Sequence, residues 1–321
     1  MLSFSENELI ALRKHEIFDA SLLNRFNGGN STVLHITSSG IEKAFKIYSN
    51  DRTRNIRSLN HELEAFKVLE RIQNIQTAKF LSKSEIEPSI CYEWIKGKHP
   101  ENTIQSRSIL IDCIYQLRVN FNRVGDTLDA VDSINSSHNL LKQIEFRHSE
   151  LNDISGVPVE MRNQFENLYK ELKMELTQTI PLPFDTLSFS DYGLHNLLVD
   201  ETGNFTFIDF EFFGKDSQIK VICDLYAHPK GVLSSKDLES LFNLLSLSND
   251  ESDLILRCLP AIALKWSYII FRRCIDWENR RFEGLGSNFE NPLLMLEYVN
   301  YLLKIDSNTS LKTFIEFKSM R

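Results

Sequence analysis

The stretch that most restricts how this chain can fold is residues 187–216. Two short apolar runs in it, Leu197–Val199 and Phe205–Ile208, flank a polar segment that contains Gly203. Short β-prone runs around a polar, glycine-containing loop are typical of a β-hairpin. We therefore predict a hairpin whose open end is formed by the residues just before and just after the two runs.

Polar side chains suited to phosphate chemistry gather at the open end of this hairpin. If Val199 pairs with Phe205, Asn196 lies beside Asp209, and Asp191 lies on the loop that leads in. Phosphoryl transfer needs one carboxylate to orient a hydroxyl and take its proton, together with oxygen ligands for a metal ion. The spacing therefore predicts a phosphoryl-transfer site. A surface hairpin with ordinary turn acids is the simpler alternative.

The same residues follow the protein-kinase signature D-x-x-x-x-N and then D-F-G, here as Asp191 to Asn196 and then Asp209–Glu211. The stretch resembles the aminoglycoside phosphotransferase and choline kinase family, whose members carry an acid in place of the last glycine. Asp224 matches a further acid of that family. The resemblance implies that Asp191 is the catalytic base and that Asn196 and Asp209 bind Mg²⁺. Four matches in register argue against a plain surface hairpin.

A glycine-rich turn is predicted much earlier in the chain, at Asn27–Asn30 between two apolar runs. Because glycine has no β-carbon, Gly28 and Gly29 would let backbone N–H groups here, with that of Asn30, approach a phosphate closely. Taken alone, such a segment is more often just a turn. The Walker A sequence G-x-x-x-x-G-K-[ST] occurs nowhere in the chain.

A lysine lies in the apolar strand predicted at Ala44–Tyr48. Buried lysines need an anionic partner, and the helix that follows Lys46 offers Glu62 and Glu64. A strand lysine that binds the nucleotide phosphates and pairs with a helix glutamate is the kinase arrangement. Glu62 fits the family pattern R-E-x-x-x-L-x-x-L better, but the choice between the two glutamates stays open.

Residues 89–98 run from an apolar strand into a polar segment that contains a glycine. By resemblance this is the hinge between two lobes, where backbone groups of Glu93, Trp94 and Ile95 would face adenine. A core position for Trp94 is the alternative. The hinge interpretation implies a nucleotide cofactor, ATP.

The rest of the chain is dominated by amphipathic helical patterns, with the hairpin as the one clear β element. The helices are predicted around 103–124, 136–150, 158–178, 235–247, 251–275 and 290–304. We therefore predict an α+β, two-lobed protein-kinase-like fold. A small β-rich nucleotide-binding lobe spans 1–95, and a larger helical lobe for catalysis and acceptor binding spans 96–321.

Two residues depart from the family pattern, and a third allows two interpretations. Phe189 stands where the family usually has a histidine that braces the catalytic loop, which leaves the geometry of that loop open without removing a reacting group. His195 has no counterpart, and we assign it no catalytic role. Glu211 either binds a second metal ion or shapes the turn, and the structural role is favoured.

The helical pattern at 258–281 combines basic and aromatic side chains. Lys265 and Arg272 share one face, and Trp266, Arg273 and Trp277 form a neighbouring stripe, with Arg280 and Arg281 further on. A solvated basic face is the favoured interpretation. The alternative is an acceptor site in which indole rings stack on a sugar and guanidinium groups hold a phosphate or carboxylate.

Composition limits the partners of this protein. The net charge of −8 over 321 residues argues against a general nucleic-acid surface. The apolar stretches are too short for a membrane span, and the charged N-terminus does not look like a signal peptide. Five scattered cysteines without a C-x-x-C pair indicate reduced thiols. We predict a cytoplasmic protein without nucleic-acid or membrane partners.

The predicted function is an ATP- and Mg²⁺-dependent phosphotransferase that moves the γ-phosphate to a hydroxyl of a small molecule. The segments Y-G-L-H-N and D-F-E-F-F-G-K-D resemble those of the family branch that is linked to surface-polysaccharide biosynthesis. This resemblance implies a sugar or glycan-precursor acceptor. Choline, ethanolamine or an aminoglycoside is the alternative acceptor. A non-catalytic, pseudokinase-type nucleotide-binding module is the alternative class.

Overall fold

The structure is a computed structural model that describes residues 2–28, 30–49, 51–152, 159–176, 178–228 and 232–280. It divides into two compact units, one formed by Met1–Val131 and Leu187–Gly214 and the other by Asp132–Thr186 and Lys215–Arg321. The first unit contains an antiparallel sheet and the second is mainly helical, which confirms the predicted α+β class. Among the described residues, no helix has the length and apolar character needed to cross a bilayer.

The sheet of the first unit has five antiparallel strands in the order β1-β2-β3-β5-β4. The predicted glycine-rich turn connects its first two strands, because Asn27 pairs with Thr32. A short helix, α1, precedes the sheet, and a longer one, α2, follows its third strand. These elements are α1 (Glu6–Lys14), β1 (Ser21–Asn27), β2 (Ser31–Ser38), β3 (Ile41–Tyr48), α2 (Arg52–Leu69), β4 (Phe80–Ser84) and β5 (Ser89–Glu93).

The two faces of this sheet bury different side chains because residues alternate along a strand. Phe45 of β3 packs in a cluster with Leu12 of α1, whereas Ala44 and Tyr48 pack in a second cluster with Leu59 of α2. The alternation therefore places Lys46 on the α2 side of the sheet. This register is what allows a strand lysine to meet a helix carboxylate.

The predicted hairpin is present in the first unit as β7 (Leu197–Val199) and β8 (Phe205–Phe207). Its register is confirmed, since Val199 pairs with Phe205. At the open end the Ile208 N–H donates to the Asn196 carbonyl at 3.0 Å. The chain enters this unit again through β6 (Thr186–Ser188) and leaves it through β9 (Gly214–Asp216). Both strands have three residues, too few for the period-2 pattern to predict them.

Most helices of the second unit agree with the predicted amphipathic segments, but the helix that contains Asp224 was not predicted. The helices of this unit are α4 (Ser137–Asn152), α5 (Val159–Glu175), α6 (Gln218–Ala227), α7 (Ser235–Leu245) and α8 (Asn249–Arg280), while α3 (Ile104–Val119) belongs to the first unit. α8 packs against α4 and α6. The pattern predicted at 251–275 and the described part of the pattern predicted at 258–281 belong to this one helix. The helix predicted at 290–304 lies outside the described residues.

The favoured interpretation of the basic face at 258–281 is wrong for Lys265. This side chain is buried, and its ammonium donates to the Gln143 side chain at 2.7 Å and lies 3.4 Å from the Asp132 carboxylate. Burial lowers the pKa of Lys265, although Asp132 opposes the shift. Lys265 can be buried because Gln143 of α4 and Asp132, which precedes α4, supply polar partners. The side chains of Arg272, Arg273, Trp277 and Arg280, and all of Arg281, lie outside the described part of the chain.

Candidate active site

The centre of the site is a buried ammonium between two carboxylates. Lys46 Nζ lies 2.7 Å from Glu62 Oε2 and 2.6 Å from Asp209 Oδ1. The Tyr48 hydroxyl donates to the same Glu62 oxygen at 2.6 Å. Of the two glutamates that the sequence left open, Glu62 is therefore the partner of Lys46. Glu64 instead accepts a hydrogen bond from Thr127 at 2.7 Å.

The electrostatics of this group keep Lys46 charged. Burial opposes the ammonium, but the Asp209 and Glu62 carboxylates outweigh it and raise the pKa of Lys46 well above its ordinary value. Burial also raises the pKa of Glu62, against the pull of Lys46 and with the help of the negative charge on Asp209. One oxygen of Glu62, Oε1, is buried without a hydrogen-bond partner among the described residues. The group thus holds more acceptor capacity than its own donors fill.

The loop before the hairpin brings Asp191 and Asn196 together. The Asn196 Nδ2 donates to the Asp191 backbone carbonyl at 3.2 Å, and the His195 Nε2 lies 3.1 Å from Asp191 Oδ2. Because the amide nitrogen of Asn196 is used inside the loop, its Oδ1 is the atom left to bind a ligand. Asp209, which follows the hairpin, has a backbone φ of 64°. Non-glycine residues rarely adopt this left-handed conformation, and they do so often at functional sites.

Phe189, which replaces the expected histidine, is buried in an aromatic cluster. Its ring centroid lies 5.2 Å from that of Phe210, 5.5 Å from Phe207 and 5.8 Å from Tyr192. Phe210 in turn contacts Phe66 of α2 edge-on at 5.6 Å. Ring packing therefore braces the loop where a histidine hydrogen bond was expected, and the substitution does not leave the loop unsupported.

The glycine-rich turn contributes Asn30 as well as backbone. The Asn30 Nδ2 donates to Glu211 Oε1 at 2.8 Å, whereas Glu211 Oε2 is buried without a partner among the described residues. Burial raises the pKa of Glu211 against the opposing effect of Lys46. Gly28 lines the cavity described below, and a β-carbon there would lie 3.1 Å from the Ser31 carbonyl oxygen. Gly29 lies outside the described residues.

A cavity of about 500 Å³ lies within the first unit beside these groups. Lys46, Asn196 and Asp209 line one part of it. Apolar and aromatic side chains from the sheet, the predicted hinge and the hairpin line much of the rest: Phe26, Val33, Ala44, Tyr92, Trp94, Ile95, Leu198 and Ile208. A largely apolar cleft with a few convergent polar groups is typical of a small-ligand site.

The three predicted hinge residues differ in what they offer to this cavity. Trp94 and Ile95 line it, but Glu93 does not. The Glu93 N–H donates to the Lys79 carbonyl at 2.9 Å, and the Trp94 N–H donates to the Glu42 carbonyl at 3.4 Å. The Trp94 ring stacks on His35 with centroids 3.7 Å apart, and it both lines the cavity and packs, partly buried, against the core cluster of Ala44 and Tyr48.

Several residues of the site were not found by sequence reasoning. Tyr48 lies two residues after Lys46 and hence on the same strand face, a signal that strand periodicity contains. His61, whose ring nitrogen lies 2.6 Å from the Phe213 carbonyl oxygen, has no such signal, because its partner is 152 residues away. His195 lines the cavity although no role was assigned to it.

The donor set fits a hard cation such as Mg²⁺. Asp209 uses Oδ1 for Lys46, its side chain is 42% exposed, and both Asn196 Oδ1 and Glu211 Oε2 are oxygens suited to such an ion. Among the described residues, no three His, Cys, Asp or Glu side chains form a cage by themselves. Mg²⁺ commonly keeps several waters and shares phosphate oxygens with a nucleotide, so two protein ligands are sufficient.

Comparison with known proteins supports the fold. No protein-family model and no curated protein matches the sequence at a significant level. Among solved structures, the gentamicin complex of APH(2")-IIa has a TM-score of 0.62 at 13% identity and covers 96% of this chain and 98% of its own. A choline/ethanolamine kinase family protein from Mesorhizobium loti has a TM-score of 0.61 at 12% identity, with 94% and 93% covered. The ADP-bound aminoglycoside phosphotransferase APH(2'')-Ib has a TM-score of 0.57 at 15% identity, with 95% and 98% covered.

These similarities extend over nearly the whole chain and confirm the protein-kinase-like fold that the motifs predicted. At such low identities they establish the fold alone. What the relatives bind or phosphorylate is a property of those proteins.

Proposed function

We propose that this protein is an ATP- and Mg²⁺-dependent phosphotransferase that moves the γ-phosphate to a hydroxyl group of a small molecule. The observation that carries the proposal is the shared ammonium of Lys46, held at 2.7 Å from Glu62 and 2.6 Å from Asp209 beside a cavity that Asn196 also lines. A structural ion pair would not need an aspartate that is nearly half exposed to that cavity.

Each group then has a distinct task. Lys46 would bind the nucleotide phosphates, oriented by Glu62, while Asn196 and Asp209 would hold Mg²⁺, which neutralises charge on the phosphates when bound. Asp191 would accept the proton of the acceptor hydroxyl as that oxygen bonds to the γ-phosphorus and the bond to the ADP oxygen breaks. Trp94 and Ile95 would contact the adenine ring, and the backbone N–H of Asn30 would lie near the phosphates, whereas the N–H of Gly28 already donates to the Ser31 carbonyl at 2.8 Å. Catalysis would rest on positioning and charge stabilisation.

We also propose a sugar or glycan precursor as acceptor, which rests on the sequence wording around Asp191 and Asp209. The support from the helix at 258–281 is weaker than expected, because Lys265 is buried on Gln143 and Asp132. The fold shared with an aminoglycoside phosphotransferase and with a choline/ethanolamine kinase family protein favours cationic acceptors as the second candidate. The division at residue 95 and the cytoplasmic location stay part of the proposal.

The experiment combines an acceptor screen with one variant. Sugars, sugar phosphates, choline, ethanolamine and aminoglycosides are tested for acceptor-dependent ADP release, and products are identified by mass spectrometry. Asp191→Ala is expected to lower kcat by about 10²- to 10⁴-fold and to leave ATP affinity by titration calorimetry nearly unchanged. Asp250→Ala, in the exposed first turn of α8, is the matched control.

Two results would overturn the assignment. Wild-type turnover that survives Asp191→Ala would remove Asp191 from the chemistry. ATP binding without ADP release for every acceptor would favour the non-catalytic nucleotide-binding module instead.

A further inference from the structure

His195 lies against the proposed catalytic base. It belongs to a single 3-10 turn, Leu194–Asn196, and its Nε2 lies 3.1 Å from Asp191 Oδ2. Its side chain is 43% exposed and lines the same cavity as Asp209 and Asn196. A ring this exposed adds little to packing, so its placement calls for another explanation.

Gly193 supplies that explanation. Its backbone φ of −83° and ψ of 151° are open to any residue, so glycine is not required by the backbone conformation. A β-carbon at this position would instead lie 2.1 Å from both Cε1 and Nδ1 of the His195 ring. The absence of a side chain at Gly193 is therefore what makes room for the imidazole beside Asp191.

Two contacts of Asp191 bear on its orientation, and one of them reaches its carboxylate. The Asn196 Nδ2 holds its backbone carbonyl at 3.2 Å, and His195 Nε2 contacts its carboxylate. The terminal torsion of an aspartate has a broad, roughly two-fold preference, so the backbone contact alone does not orient the carboxylate. An N–H at His195 Nε2 donating to Oδ2 restricts that rotation.

We infer that His195 is a positioning residue that holds the Asp191 carboxylate in the orientation for taking the acceptor proton, and that Gly193 exists to admit its ring. The inference rests on the proposed phosphotransferase function. The expected gain is one of geometry, because small displacements of a catalytic group cost up to about 10²-fold in rate. Nucleotide binding is not expected to depend on it.

The test uses the full-length protein and breaks the contact from both sides. His195→Ala is expected to lower kcat by about 10- to 100-fold, with the KM for ATP within about two-fold and no loss of thermal stability beyond that of an ordinary surface change. Gly193→Ala should reproduce the loss by displacing the ring. His195→Gln, which keeps a side-chain N–H donor, should recover part of the rate.

The double variant separates this role from a general effect on the loop. If Gly193→Ala acts through the ring, it should cost nothing further in the His195→Ala background, because two changes that break one contact are not additive. A full additional loss in the double variant, or an unchanged or higher kcat for His195→Ala, would overturn the inference.

Asp191→Ala, measured in parallel, distinguishes the two levels of failure. If Asp191→Ala loses activity while His195→Ala keeps the wild-type rate, only the inference about His195 is wrong. If Asp191→Ala keeps its activity, the proposed function is wrong. The contact itself is tested without turnover by nuclear magnetic resonance of ¹⁵N-labelled imidazole. Asp191→Asn and Gly193→Ala should each move the His195 Nε2 signal, and an unmoved signal would show that the contact is absent.

Discussion

Two buried lysines, one in each unit of the molecule, each lie between two carboxylates. The two groups differ in whether the remaining carboxylate oxygens accept hydrogen bonds. Lys46 in the first unit lies 2.7 and 2.6 Å from Glu62 and Asp209. Lys220 in the second unit lies 2.8 Å from both Asp216 and Asp224. By residue type and distance the two groups are hard to tell apart.

The difference is in the remaining carboxylate oxygens. In the Lys220 group, Asp216 Oδ1 accepts from the Ile134 and Ser217 N–H groups at 3.1 and 2.8 Å, and Asp224 Oδ1 accepts from Trp266 Nε1 at 2.9 Å. Lys220 contacts the other two oxygens, Asp216 Oδ2 and Asp224 Oδ2. Each carboxylate oxygen of this group therefore has a partner, and we call the group closed.

In the Lys46 group, by contrast, some carboxylate oxygens have no hydrogen-bond partner among the described residues, and we call this group open. Glu62 Oε1 and Glu211 Oε2 are buried without partners among the described residues, and the Asp209 side chain is 42% exposed where Asp216 is fully buried. A buried ion group whose oxygens are all satisfied fits a structural role, whereas the unfilled acceptors around Lys46 support the proposed cation site.

The same change made in each group should separate them most strongly. Asp209→Asn removes a metal-binding charge and is expected to lower kcat by about 10⁴-fold, within the range for losing a key charge-stabilising group in phosphoryl transfer. Thermal stability should stay the same or rise, because Lys46 keeps Glu62 and one surplus negative charge is gone. Kinetics in Mg²⁺ and ATP, beside a melting curve, check both parts. Near wild-type turnover would contradict the interpretation that the Lys46 group is a cation site.

Asp216→Asn should do the opposite. It leaves the N–H groups of Ile134 and Ser217 with an acceptor but takes a buried charge from Lys220, and we expect a loss of about 3 kcal/mol in the free energy of unfolding. Urea denaturation measures this, and the activity of the folded fraction should change little. An unchanged unfolding midpoint would mean that the closed group is not a stabilising one.

The dependence of stability on alkaline pH gives a second test of Asp216→Asn. Burial opposes the charge on Lys220, but Asp216 and Asp224 outweigh it and raise its pKa above the usual 10.5. A raised folded-state pKa means that this contribution is fully present below pH 10.5 and is lost as the pH rises through the folded value. In Asp216→Asn one of the two carboxylates is gone, which lowers the folded-state pKa of Lys220, so the loss should be smaller and complete at a lower pH. Urea midpoints of both proteins, compared from about pH 8 upward, show whether the difference between them shrinks above pH 10.5.

The smallest effect is expected from a pair of glutamates in one helix. Glu62→Gln removes one of two anionic partners of Lys46, and a hydrogen bond to a charged group is worth about 1.5–3 kcal/mol. We expect kcat/KM for ATP to fall by about 10- to 100-fold. Glu64→Gln is the matched control, because Glu64 contacts Thr127 and Lys67. Equal effects of the two substitutions would show that pairing with Lys46 does not matter for function.

Local pattern was sufficient for much of the site. The hairpin and its Val199–Phe205 register follow from alternation and turn residues, and they bring Asn196 next to Ile208 as predicted. The apolar stripe of α2 also contains Glu62 and not Glu64, since residues 59, 62 and 69 share a helix face while 64 lies about 200° of rotation away from 62. Burial of Glu62 was thus contained in the sequence, although its partner was not.

Local pattern was insufficient where a contact depends on tertiary packing or on the shape of a tight loop. The sequence predicted a solvated basic face where Lys265 is buried on Asp132 and Gln143, and it assigned no role to His195. Neither contact leaves a periodic trace, because each depends on how separate elements or a tight loop pack.

The sequence by itself determined the motif chemistry of this protein: a lysine in a strand, an acid and an amide at loop spacing, and an acid after a hairpin. Only the tertiary structure decided which of two similar lysine groups is open and which is closed. The physical reason is that strand and helix periods assign side chains to faces. Whether a buried carboxylate oxygen finds a donor depends on three-dimensional packing, as Asp216 shows by using an N–H from Ile134, 82 residues away.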